Sequence, residues 1–229
     1  MKGEAFKWGT VVLAVACLIS QTTALAQQSA IDRLKSQAPS MLKATPPGKA
    51  QGLKDTQALN RKLFAKTRGE GEAKKPENAF YFLGLACVFM NDPQLRTQLS
   101  DNIRGALSFV QAPQQLQDLL AEALRESTDQ TKLQAFMQQT WQWVQSRGQA
   151  PTVNFFAGAW TASNFFALSQ QQTFKLEVAR NLANFYAQTG PPQAVAILQE
   201  LAGFSQREVG PNDLKRIGEL LNALAQLLM

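Results

Sequence analysis

From Asn78 to the C-terminus, apolar residues recur at the three- and four-residue spacing of helices that bury one face, and breakers interrupt the pattern at intervals. Phe80, Leu83, Gly84, Cys87 and Val88 mark one face of a first helix. Asp92-Pro93, a capping residue followed by the residue best tolerated at a first helical position, opens a second with Leu95, Leu99, Ile103 and Leu107. Pro113 opens a third, with Leu116, Leu119, Leu120, Ala123 and Leu124. Asp129 starts a fourth, with Leu133, Phe136, Met137, Trp141 and Val144. A fifth over 154–168 follows Pro151, with Asn78 and Asn154 as the simplest caps of the first and fifth. The sixth is expected over 171–188, the seventh over 192–204, and the eighth from Asn212-Asp213 to Met229. No stretch alternates with period two for long, and no Asn-Gly or Asp-Gly hairpin turn occurs. The pattern predicts an all-α body of about eight helices arranged as helical hairpins.

The breakers are themselves periodic. Pro76, Pro113, Pro151 and Pro191 are separated by 37, 38 and 40 residues, each introducing two helices. A longer similarity overlays this spacing. Residues 81–86 (YFLGLA) match 155–160 (FFAGAW), Ile103-Arg104 match Ala179-Arg180, and Pro113-Gln114 match Pro192-Gln193. The body (78–229) is therefore expected to contain two related four-helix halves, 78–150 and 151–229, either stacked as a solenoid or packed as a compact bundle. Phe80-x-x-Leu83-Gly84 resembles the opening of a tetratricopeptide unit. The resemblance ends after five residues, because Arg96 stands where that family has a small alanine, and no family is assigned from it.

The N-terminus has the three-part plan of a cleaved export signal over 1–26. Lys2 and Lys7 precede the uncharged stretch from Trp8 to Ser20, and Ala24-Leu25-Ala26 offers small residues for cleavage. The apolar run is shorter than the roughly 20 residues that span a bilayer. Lipidation at Cys17 is the minor alternative. These features place the mature chain in the periplasm or outside the cell.

Residues 27–77 hold 11 Lys/Arg against 5 Asp/Glu, while 78–229 hold 10 against 11. The segment reads as a basic arm, loosely ordered or draped on the body. Its electrostatic candidates are Arg61, Lys62, Lys66, Arg68, Lys74 and Lys75. They form no dense patch with stacking aromatics, which argues against nucleic acid. The plainer reading is a solvated linker, and an anionic membrane surface, an acidic envelope polymer or an acidic protein is the partner class otherwise expected.

The chemical inventory is narrow. There is no histidine in the chain, so the commonest general base and metal ligand is missing and a Cys/His zinc site is excluded. Cys87 is alone in the mature chain, inside an apolar run, and reads as a small hydrophobe. No nucleophile elbow or phosphate-cradling glycine loop occurs. Glu177, Glu200 and Glu219 stay open as acids for a hydrolase of envelope polymer, which needs two carboxylates facing across a cleft. No catalytic residue, metal or cofactor is assigned, and the balance leans away from an enzyme.

The aromatic residues Phe80, Phe82, Phe155, Phe156, Trp160 and Trp141 are the binding candidates. They form either the core of each half or a groove for a partner or an apolar ligand. The expected function is a non-catalytic binding or scaffold role toward an envelope protein. The alternative is a carrier of an apolar or lipid-like molecule held between the halves.

Overall fold

The computed structural model describes residues 28–42, 76–125, 129–170 and 174–229. Among the described residues there are nine helices and no strand. Helix α1 covers 28–41. The body follows as α2 (Pro76–Phe89), α3 (Pro93–Phe109), α4 (Gln114–Arg125), α5 (Gln130–Ser146), α6 (Gln149–Gln170), α7 (Val178–Thr189), α8 (Pro192–Phe204) and α9 (Pro211–Leu228).

Helices α2 and α6 form the centre, and their mutual contact is the most extensive in the molecule. Every residue of α2 from Phe80 to Phe89 is buried, the signature of a helix apolar on all sides and enclosed by others. The contact between Gly158 and Tyr81 near the middle is followed by stacking of Phe89 on Phe165 near the ends, so the two helices run parallel. Around them the chain makes two circuits. Helices α3, α4 and α5 each pack on the helix before, and α5 reaches α6. Helices α7, α8 and α9 do the same, and α9 returns to α6. The Asn78 amide donates to the Met229 carbonyl at 3.2 Å, joining the start of α2 to the chain end.

The closeness at the centre comes from two glycines. A Cβ added to Gly84 would overlap the carbonyl oxygen of Phe155, and one added to Gly158 would overlap that of Tyr81. With no side chain at either site, the backbones touch directly and the large rings lie to either side. Gly158 follows Gly84 by 74 residues, and Phe155 follows Tyr81 by the same interval, so the two contacts are reciprocal.

Several local expectations are refined. Asp129 caps α5 as its position implies, accepting from the backbone of Thr131 at 2.7 Å and of Lys132. Asn154 is not a cap. It lies within α6, which begins at Gln149 and carries Pro151 in its first turn, where no intrahelical N–H is needed. Asn78 is likewise inside α2. The eighth body helix begins with Pro211 after Gly210, whose N–H donates to Asp213.

Helix α7 starts at Val178, later than the pattern suggests. Before it, the Lys175 N–H donates to the Asn164 carboxamide at 3.0 Å and the Lys175 carbonyl accepts from the Trp160 indole at 2.7 Å. Side chains of α6 thus take backbone groups that a helix would have used, and residues 174–177 are not helical.

Part of the arm is draped. In α1 the residues Ile31, Leu34, Ala38 and Met41, with Leu42 just after it, are buried in the common core. Gln134 of α5 donates to the Leu42 carbonyl, and Lys175 donates to the Ser40 hydroxyl. The helix therefore bridges the first circuit to the crossing before α7.

Candidate functional site

The six aromatic candidates come together at the α2–α6 centre and its margin with α5. Phe155, Phe156 and Trp160 have no exposed surface, Phe80 and Phe82 are buried, and Trp141 lies at the edge of the core. Trp141 packs on Phe155 with ring centroids 5.6 Å apart, and Phe80 packs on Trp143 at 5.8 Å. Phe89 sits against both Phe165 and Phe166. Full burial of one such ring contributes about 2–3 kcal/mol. These rings flank the close backbone contact of the central pair and pack its margin with α5, which gives the aromatic group a packing role.

Polar groups in the core are paired across elements. The Tyr81 hydroxyl donates to Thr161 at 3.0 Å, and Thr161 donates on to the Ala157 carbonyl. The Tyr186 hydroxyl donates to the Asn154 carboxamide oxygen at 2.8 Å, while the Asn154 amide donates to the Ala150 carbonyl. Burial pushes both phenols above their ordinary range. Arg96 is 1% exposed and donates through Nε to the Met90 carbonyl at 2.8 Å, closing the corner between α2 and α3. Burial pulls its pKa below the usual guanidinium value, and the nearby Asp92 works in the other direction. Cys87 is fully enclosed, and burial pushes its thiol up, away from the thiolate needed for reaction.

The acids kept open for hydrolysis lie on exposed faces. Glu200 receives a two-pronged bond from Arg216 at 2.7 and 3.0 Å, and Glu219 lies 3.5 Å from the same guanidinium. The hydrogen bond from Arg216 holds Glu200 below the usual carboxylate range. Glu177 is exposed just before α7. Among the described residues no group of three or more metal-ligating side chains converges, and no helix is long and apolar enough to cross a membrane. The arm residues Arg61, Lys62, Lys66, Arg68, Lys74 and Lys75, with the signal segment and Cys17, lie outside the described residues.

The surface carries one feature that sequence reading did not assemble. A groove of about 270 Å³ runs between α7 and α8, lined by Arg180 and Asn184 on one side and Gln199 and Gln206 on the other. These residues come from α7 and from α8 with the turn after it. Each set follows helical spacing, but exposed polar residues at that spacing do not show in the sequence which two helices pair. The chain matches no family model, no curated protein and no solved structure.

Proposed function

We propose that this is an exported, non-catalytic binding protein that acts through contact with another protein of the cell envelope, with residues 1–26 as its cleaved signal. The observation that supports the reading is the burial of the aromatic set as core packing of α2, α5 and α6, which leaves recognition to the outer faces and to the arm. The basic balance of 27–77 adds electrostatic attraction toward an acidic partner.

Cross-linking of the exported protein in its envelope tests this. The expected result is one prominent partner, whose capture weakens at high salt and weakens again when 43–75 is replaced by a neutral Gly/Ser segment of equal length. That replacement spares α1, whose apolar face belongs to the core. Cross-links confined to the chain itself count against the proposal.

The same reading takes the body as a duplicated four-helix unit, 78–150 and 151–229, supported by the reciprocal glycine contacts. Expressed as two chains, 27–150 and 151–229 are expected to reassemble with native helicity. Two halves that stay apart and unfolded would oppose a modular origin.

A further inference from the structure

We propose that the groove between α7 and α8 is a docking site for a carboxylate-bearing, extended peptide segment of a partner protein. The inference rests on the reading of the body as a protein-binding scaffold and names where, and by what chemistry, that scaffold makes contact.

Three observations carry it. The first is charge. Arg180, exposed on the groove wall, makes no ion pair or side-chain hydrogen bond among the described residues, whereas Arg207 and Arg216, later in the chain, are both occupied. Arg207 is held by Asp213 at 2.8 Å and lies over the Phe204 ring, and Arg216 is clamped on Glu200 and Glu219. Glu200, which follows the groove residue Gln199, is thereby committed to Arg216, and Glu177 at the start of α7 makes no ion pair with Arg180 among the described residues. The guanidinium is left with a fork of donors suited to a carboxylate.

The second is the company Arg180 keeps. Asn184, Gln199 and Gln206 line the same groove, and none of their side chains is used in a hydrogen bond among the described residues. Each carboxamide offers both donors and an acceptor, the complement of a peptide main chain. One positive charge among three amides suits a carboxylate with amides on either side. It does not suit an apolar ligand.

The third is room. The groove floor is made by Ala202 and Gly203. Gly203 lies in the last turn of α8, and a Cβ there would meet nothing within 4 Å, so no packing demand accounts for the glycine. Its effect is to keep the floor low. The volume, about 270 Å³, lies just under the range of small-ligand pockets, which begins at about 300 Å³, and the groove is open at the surface, as a segment passing through requires.

The test is a titration of ¹⁵N-labelled residues 27–229 with acetyl-Gly-Asp-Gly-amide. Its neutral counterpart acetyl-Gly-Asn-Gly-amide and sodium acetate serve as separate probes. The expected result is millimolar binding of the Asp peptide, with shifts at the Gly203 and Gln206 amides. Binding of the Asn peptide should be at least tenfold weaker, and acetate should give no shift at these amides. Arg180→Gln should abolish the response, and Arg147→Gln, at an exposed arginine of the α5–α6 turn, should leave it intact. Gly203→Leu, at a site where a Cβ meets nothing within 4 Å, should block the groove while keeping the native spectrum.

Equal binding of the Asp and Asn peptides, acetate alone reproducing the shifts, or full binding by Arg180→Gln would each overturn the docking site. If the groove fails while envelope cross-linking still returns a salt-sensitive partner, the scaffold function stands and the contact lies elsewhere. Loss of both removes the function as well.

Discussion

Gly84 lies against the carbonyl oxygen of Phe155 so closely that no Cβ fits between them, and Gly158 meets Tyr81 in the same way. Replacing either glycine by alanine forces the central helices apart along their whole contact. Gly84→Ala and Gly158→Ala are each expected to cost at least about 3 kcal/mol, at the upper end of overpacking effects. Gly105→Ala is the control, because its Cβ would meet nothing and the change favours α3 by up to about 1 kcal/mol. Denaturant midpoints of the three variants check this. Similar values for all three would mean that the glycines are not in contact.

The hairpin turn after α3 uses a residue that pays for its conformation. Gln111 has φ 55°, and Ala112 donates back to the Leu107 carbonyl at 2.8 Å while Gln111 donates to Ser108. This is the double hydrogen bond with which helices end on a left-handed residue, a position that glycine takes without steric penalty. Gln111→Gly should therefore stabilise the protein by about 0.5–1 kcal/mol, read as a raised melting temperature. A loss of stability would show that the side chain of Gln111 contributes more than its backbone costs.

Tyr81 and Tyr186 are the only tyrosines of the chain, and both are buried with raised pKa values. The folded state thus holds protons that the unfolded chain releases near the ordinary value of 10.0. Stability from these groups is complete below pH 10 and falls as the pH rises above it. Phenolate absorbance should stay flat until the protein unfolds in alkali, then appear for both residues together. A reversible phenolate signal from protein with native circular dichroism would contradict the burial.

The two phenols are not equivalent. Tyr186→Phe leaves the Asn154 carboxamide oxygen without its donor in the core, at a cost of about 1–3 kcal/mol. Tyr81→Phe should cost less, since Thr161 keeps its bond to Ala157. Parallel thermal melts separate them, and a larger loss for Tyr81→Phe would reverse the assignment.

Helix α1 belongs to the cooperative core. Leu34→Ala is expected to cost about 2–4 kcal/mol within a single unfolding transition. An unchanged midpoint would mean that α1 does not dock.

The body helices were legible because their boundaries are written locally. Prolines stand at or beside the starts of α2, α3, α4, α8 and α9, Asp129 caps α5, and leucines fall at helical spacing between them. What escaped depends on partners distant in sequence. Asn154 looks like a cap until Tyr186 is brought beside it, and Asn78 until Met229 is. The late start of α7 depends on Asn164 and Trp160 reaching Lys175. In α1 the apolar residues Ile31, Leu34, Ala38 and Met41 do follow helical spacing, but the surrounding charge and the breaker at Pro46-Pro47 obscure it. The aromatic clusters were visible as a group, yet only their packing distinguishes a filled core from a groove. Arg180 and its amide neighbours fall at helical spacing on their own segments, but solvated polar residues do not announce which helix faces they share.

The described core is filled by the protein's own side chains, and the proposed recognition is left to the outer faces. Native mass spectrometry of residues 27–229, purified from the exported fraction without detergent, tests this most directly. The expected result is the mass of the bare chain or of a simple multiple of it. A mass excess that survives native spraying and disappears on denaturation would contradict it, because a ligand would then occupy space that the aromatic rings are here found to fill.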